Sequence, residues 1–313
     1  MTRIADALRR SRTGSSVGSD GGGTRVEDAI QFFAPGQPAV VSPWEIEEEP
    51  PQAMDAGQSL RPFNRAETTS AATEADLPAV DDEYVGVPAG ESAEKLVTSP
   101  SVSLLVRAQY SKLAAALHHA QTERDVRVVM VVSAGAAEGK TLTAVNLALT
   151  LSEAFQRRVL LLDADLRKPA VHEPFGLANS RGLGELLDRE RAPSIVGVSP
   201  YLSLLPASDY QDDPIKILTS DRLWTLVQEW RTRFDWIVID TPPLGITPDA
   251  RLLAPMTDGA LLVVEADRTT SDEILGVAET FEPGRLLGVV LNRVTERAAS
   301  GAQSSGYYGP RAR

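Results

Sequence analysis

From about residue 103 the chain alternates between two hydrophobic rhythms. Leu104, Leu105, Ala108, Leu113, Ala116 and Leu117 recur at helical spacing to about Thr122, which predicts a helix and the beginning of ordered structure. Beyond it, unbroken apolar runs of strand length occupy 127–133, 158–163, 202–205, 236–240, 260–265 and 286–292. Helical patterns fall between them, the clearest over 140–155 and 215–232. Continuous rather than alternating apolar residues imply strands covered on both faces, as in a parallel sheet sandwiched by helices. The predicted fold is therefore α/β: a doubly wound, mostly parallel sheet flanked by helices, with its ligand at the carboxyl ends of the strands.

The first hundred residues lack this rhythm. They hold 17 acidic against 8 basic residues, 9 Pro, 9 Gly and 16 Ser or Thr, while Leu, Ile, Val and Phe supply only 18 positions. So few apolar side chains cannot offset about 1–2 kcal/mol of backbone entropy per residue, and 1–100 is predicted to be largely disordered. Ile4 and Leu8, one turn apart with Arg3, Arg9 and Arg10 around them, allow either a short docking helix over 2–12 or a frayed terminus. The expected organisation is an acidic segment at 1–100, a domain at 101–298 and a Gly- and Ser-rich tail at 299–313.

Charge and composition then narrow the chemistry. The whole chain has 31 Lys and Arg against 43 Asp and Glu, a net charge of -12, which argues against a protein that coats nucleic acid. Without cysteine there is no thiolate metal site or thiol nucleophile, and His118, His119 and His172 leave little for a metal site. No apolar run approaches the roughly 18–20 residues of a membrane span, and no signal-peptide core follows Met1, so a cytoplasmic protein is expected.

Three strand ends carry the candidate chemistry. The first is Ser133-Ala134-Gly135-Ala136-Ala137-Glu138-Gly139-Lys140-Thr141, which has the Gly-Lys-Thr end of a phosphate-binding loop but Ala134 where the general pattern begins with Gly. Small residues let successive backbone N–H groups curl around phosphates, and a helix starting near Lys140 adds its N-terminal dipole. Lys140 would reach the β- and γ-phosphates of ATP, and the Thr141 hydroxyl would ligate Mg²⁺. The alternative is an ordinary strand-to-helix turn. The second end is Asp163-Ala164-Asp165-Leu166-Arg167-Lys168-Pro169, whose two carboxylates are expected to point the same way, one toward a metal and one as proton acceptor. The third is Phe234-Asp235-Trp236-Ile237-Val238-Ile239-Asp240-Thr241-Pro242-Pro243, in which Asp240 is either a second Mg²⁺-holding carboxylate or the cap of the next turn.

These three segments together resemble the bacterial protein-tyrosine kinases, P-loop autokinases that regulate capsule and exopolysaccharide synthesis and export. The resemblance runs from about Ser103 to Val294 and includes Gly182-Leu183, Leu204-Leu205-Pro206-Ala207, Asp249-Ala250 and Gly288 to Arg293. It implies a P-loop NTPase fold related to MinD and ParA, with ATP and Mg²⁺ as cofactors. It gives catalytic roles to Lys140, Asp163, Asp165 and Asp240, and metal roles to Thr141, Asp163 and Asp240. Nucleotide contacts would come from Gly135, Ala136, Ala137, Glu138, Gly139, Lys140, Thr141, Leu142, Asn292 and Arg293, with Asn292 at the adenine. Tyr307 and Tyr308 in the tail would be the phospho-acceptors. The partner implied is a separate transmembrane polysaccharide copolymerase or chain-length regulator that brings the protein to the inner face of the membrane; a homo-oligomer is also implied.

Two departures from that pattern shape the alternatives. The tail has two adjacent tyrosines where relatives carry a cluster. The Glu-x-x-Arg-x-x-Arg motif that joins many relatives into a ring falls at Ala108, Ser111 and Ala114, which cannot form its ion pairs. One alternative is an ATP-binding regulatory subunit of the export complex with weak or no kinase activity. The other is a MinD/ParA-like switch, although its signature lysine position is Gly135 here. Arg167, Lys168 and Arg293 are placed either to stabilise transferring charge or to pair with nearby aspartates.

Overall fold

The structure, a computed structural model, describes residues 31–33, 92–179, 181–187, 193–208 and 213–294. Among these, eight strands form one sheet: β1 (Gln31–Phe33), β2 (Val128–Ser133), β3 (Val159–Asp163), β4 (Val196–Ser199), β5 (Leu202–Leu205), β6 (Trp236–Asp240), β7 (Gly259–Glu265) and β8 (Leu286–Asn292). Their spatial order is β1-β8-β7-β2-β6-β3-β5-β4. From β8 across to β5 every pairing is parallel, and an antiparallel strand closes each edge. The expected doubly wound, mostly parallel sheet is thus what the chain forms.

Every residue of β2, β3 and β6 is buried, which is why these strands read as unbroken apolar runs. Along β2 successive residues serve opposite cores. Val128, Met130 and Val132 face the layer containing α3 (Pro214–Leu218), α4 (Asp221–Arg233), α5 (Asp249–Leu253) and α6 (Ser271–Ala278). Val129 and Val131 face α1 (Leu104–Arg124) and α2 (Lys140–Leu149). Trp230 on α4 and Trp236 on β6 fill opposite layers and are wholly buried; truncating such a side chain to Ala costs about 3–5 kcal/mol.

The structure departs from the expected elements in four places. The helix expected over 215–232 is two helices, because Ser220 turns extended and its side chain accepts from the Leu223 N–H as a new N-cap. The helix expected over 140–155 ends as an α-helix at Leu149 and continues as a π-turn over Thr150–Ala154. Strand β4 was not expected, since Gly197 interrupts a very short apolar run. Packing also starts before Ser103: Leu96 is fully buried, and the Asn146 side chain on α2 accepts from Val97 N–H and donates to the Lys95 carbonyl.

Within the segment expected to be disordered, β1 pairs with β8, Gln31 opposite Leu291 and Phe33 opposite Val289. Residues 92–100 also depart from that expectation: they are folded, with a helical turn at Ala93–Lys95 and Leu96 in the core. Residues 1–30 and 34–91, the helix over 2–12 and the tail tyrosines Tyr307 and Tyr308 lie outside the described residues. No helix among the described residues is long and apolar enough to cross a membrane.

Candidate functional site

Parallel strands bring their carboxyl ends to one edge of the sheet, and the three candidate segments leave β2, β3 and β6 there side by side. The loop after β2 bends through left-handed conformations at Ala137 (φ 62°) and at Gly139 (φ 90°), just before α2 begins at Lys140. Ala137 bears a side chain there, at a cost of about 1–2 kcal/mol. Gly139 has a second constraint, since a Cβ would lie 2.0 Å from the Asn292 amide nitrogen. A tight turn at Ala136 and Ala137 gathers the backbone N–H groups of residues 136–139 just ahead of α2. Together with the first turn of α2, they form the concave donor array that an anionic phosphate chain fits.

Lys140 lies across this edge, only 9% exposed. Its Nζ is 3.1 Å from Asp165 Oδ2 and 3.4 Å from Asp240 Oδ1. The Thr141 hydroxyl donates to Asp240 Oδ2 at 2.7 Å. Burial alone would depress the Lys140 ammonium, but Asp240 and Asp165 outweigh it and hold its pKa above the ordinary lysine value. Asp240 moves up as well, chiefly through burial and against the pull of Lys140 and Thr141.

The two aspartates of the second segment do not share one orientation. Asp165 faces Lys140, while Asp163 turns its carboxylate into its own loop. Asp163 Oδ1 accepts from Asp165 N–H at 3.1 Å, and Oδ2 accepts from Ala170 N–H at 3.1 Å and Val171 N–H at 3.0 Å. Asp163 is fully buried and stands directly opposite Asp240 in the strand pairing. Burial first, then the Asp240 charge, pushes it up to about 8 despite those amides.

Asp165 and Asp240 share the single Lys140 ammonium, so acidic groups outnumber cations at this buried edge even with Asp163 protonated. A divalent cation offsets such an excess, and the hard oxygen donors Thr141 Oγ1 and Asp240 suit Mg²⁺ with nucleotide phosphates completing its shell. The residues present therefore fit the metal expected from the sequence.

The remaining candidates lie around the rim. The Asn292 amide donates to the Glu138 carbonyl at 2.9 Å, so it braces the phosphate loop from the end of β8. Arg293 pairs with Glu265 at 2.8 Å, and Arg167 pairs with the buried Asp249 through two contacts at 2.6 and 3.3 Å. Both arginines thus have carboxylate partners, whereas Lys168 is exposed. Sequence reasoning missed Thr269, whose hydroxyl donates to the Glu138 carboxylate 131 positions away, a link that no local pattern encodes. It also missed Thr241, which anchors the third segment by donating to Val131 O at 2.9 Å.

Comparison with known proteins agrees with this geometry. Residues 111–308 match the CbiA family, described as the CobQ/CobB/MinD/ParA nucleotide binding domain. Tyrosine-protein kinase YwqD of Bacillus subtilis (strain 168) is 32% identical over 206 residues, which cover 64% of this chain and 85% of that protein. Succinoglycan biosynthesis transport protein ExoP of Rhizobium meliloti (strain 1021) is 35% identical over 177 residues, 54% of this chain but only 22% of that longer protein. Among solved structures, the chimerical protein CapA2B2 superposes with a TM-score of 0.60 at 26% identity, covering 68% of this chain and 95% of that one. A P-loop-like edge with its lysine, threonine and paired acidic strand ends, on this sheet order and with these relatives, leads to one placement: the chain belongs to the CobQ/CobB/MinD/ParA nucleotide-binding family and, within it, to the bacterial tyrosine-protein kinases.

Proposed function

We propose that the protein is a Mg-ATP-dependent tyrosine autokinase that regulates the synthesis and export of a capsular or extracellular polysaccharide. The observation that carries this reading is the convergence of Lys140, Thr141, Asp165 and Asp240 at the ends of three adjacent strands. The amides from Ala136 to Leu142 cradle the phosphates of ATP, and Lys140 neutralises charge on the transferring γ-phosphoryl group. Mg²⁺, held by Thr141 and Asp240 when bound, supplies further charge neutralisation. The acceptor tyrosine, Tyr307 or Tyr308, loses its proton to Asp165 as its oxygen bonds to the γ-phosphorus. The bond from that phosphorus to the β,γ-bridging oxygen breaks and ADP leaves. Positioning and electrostatics dominate such a transfer, so no covalent enzyme intermediate is needed. Asp163 supports this chemistry by holding the turn that aims Asp165.

The relatives' names support the polysaccharide assignment, and a separate transmembrane copolymerase or chain-length regulator would recruit this chain to the inner face of the membrane. Incubation with Mg-ATP followed by mass spectrometry of the C-terminal peptide tests the proposal. Phosphate on Tyr307 or Tyr308 is expected; no phosphotyrosine, alone or with the partner's cytoplasmic segment, would overturn it.

A second reading draws on one observation. On α1, Ala108 and Ser111 are exposed and Ala114 is buried, so this face offers no charged side chain at the positions where relatives join subunits. An ATP-binding regulatory subunit with little kinase activity would need no ring. A Lys140→Ala variant that still docks on its partner and sustains polymer export would favour that reading.

A further inference from the structure

The Glu138 side chain is the one buried acidic group of the phosphate loop that the transfer chemistry does not use. It is 4% exposed, yet no cation lies within ion-pairing distance of it among the described residues. Its Oε2 accepts from Gly135 N–H at 3.0 Å, three residues back, and its Oε1 accepts from the Thr269 hydroxyl. The Glu138 carbonyl is held at the same time by the Asn292 amide at 2.9 Å. One residue therefore ties together the start of the loop, the turn after β7 and the end of β8.

Its position in the loop gives these contacts their consequence. Glu138 stands between Ala137 and Gly139, the two left-handed residues that shape the donor array. A strained backbone persists only where its surroundings over-determine it. Glu138 is fixed at both its backbone and its side chain, and it provides that determination from behind the loop. Thr269 is itself fixed, because its Oγ1 also accepts from Glu265 N–H at 3.1 Å at the end of β7.

We infer that Glu138 is a positioning residue for nucleotide binding: its carboxylate, through Gly135 and Thr269, holds the phosphate loop in the binding shape before nucleotide arrives. This rests on the nucleotide-binding reading of the site. The loss caused by removing it is paid in affinity, because the loop must then be ordered by the nucleotide itself.

Calorimetric titration of the full chain with Mg-ADP, for the unaltered protein and the variants Glu138→Ala, Glu138→Gln, Thr269→Val and the Glu138→Ala/Thr269→Val pair, tests it. Glu138→Ala should weaken binding about tenfold, on the scale of small misplacements in a preorganised site. Glu138→Gln should restore most of the affinity, since its amide can still bridge Gly135 and Thr269. Thr269→Val should weaken binding by a smaller factor, and the double variant should be no weaker than Glu138→Ala alone. In phosphotyrosine kinetics KM should rise with little change in kcat. Additive losses in the double variant, or Glu138→Ala binding within about twofold of the unaltered protein, would overturn the inference. If Glu138→Ala fails to fold, Thr269→Val decides alone: unchanged affinity overturns the inference. An unaltered protein that binds no Mg-ADP overturns the nucleotide reading beneath it.

Discussion

The phosphate loop after β2 and the acidic turn after β3 are neighbouring strand ends that use their backbone amides in opposite ways. In the loop, left-handed turns at Ala137 and Gly139 curl a run of backbone N–H groups just ahead of α2. In the turn, Asp163 satisfies the amides of Asp165, Ala170 and Val171 with its own carboxylate. The first arrangement waits for an external anion; the second contains its anion already. An aspartate at a strand end can therefore give its whole carboxylate to its own loop, as Asp163 does, or divide it, as Asp165 does between Lys140 and the Lys168 N–H. Asp165, two residues on, faces outward to Lys140 because Asp163 has fixed the turn beneath it.

The largest effect should come from the group that both regions share. Lys140→Ala removes the cation facing Asp165 and Asp240, and phosphate transfer should fall about 10²–10³-fold or more in a phosphotyrosine assay. The contrast between the two aspartates is the next test. Asp163→Ala strips the acceptor from three amides and should destabilise the domain by about 3 kcal/mol, read as a lower denaturation midpoint. Asp165→Asn should leave stability within about 1 kcal/mol while abolishing most transfer. Reversal of that pattern, with Asp163→Asn well folded but inactive, would give the proton-accepting role to Asp163 and break the distinction.

A smaller effect should appear with pH. Asp163 sits near 8 when folded but would titrate near 4 in an unfolded chain, so the folded state holds the extra proton between those values. Stability of the nucleotide-free protein should therefore fall as pH rises from about 4 to about 8, and thermal melting should occur lower at pH 8 than at pH 6. Saturating Mg-ADP should flatten that slope, because the added cation offsets the carboxylate charge. The smallest effect concerns the outer wall of the turn. Arg167→Ala leaves the buried Asp249 without its two-point partner and should cost about 1–3 kcal/mol, with Arg167→Lys recovering part of it in chemical denaturation.

Much of this molecule was legible along the chain. The runs that became β2, β3 and β6 could be recognised because strands buried on both faces admit almost nothing but apolar residues. The site segments followed, since chemistry in such a sheet must sit where the strands end. The second helix boundary at Ser220 was less visible: Thr219 and Ser220 interrupt an otherwise continuous helical rhythm without breaking it, and the cap is recognisable only from its bond to Leu223. Strand β4 escaped because a short edge strand with a glycine carries too little hydrophobic signal to separate from a loop.

The amino-acid sequence by itself determined the layered α/β architecture and the residue types at the carboxyl edge of its sheet, because periodicity and local motifs are properties of neighbours in the chain. It also determined that the first hundred residues differ in composition from the domain. Tertiary structure alone decided which of the two aspartates at 163 and 165 faces Lys140, that Asn292 braces the phosphate loop, and that Glu138 reaches Thr269 across 131 positions. Those outcomes depend on which strands lie side by side and on how buried polar groups find partners, and neither is written in local order.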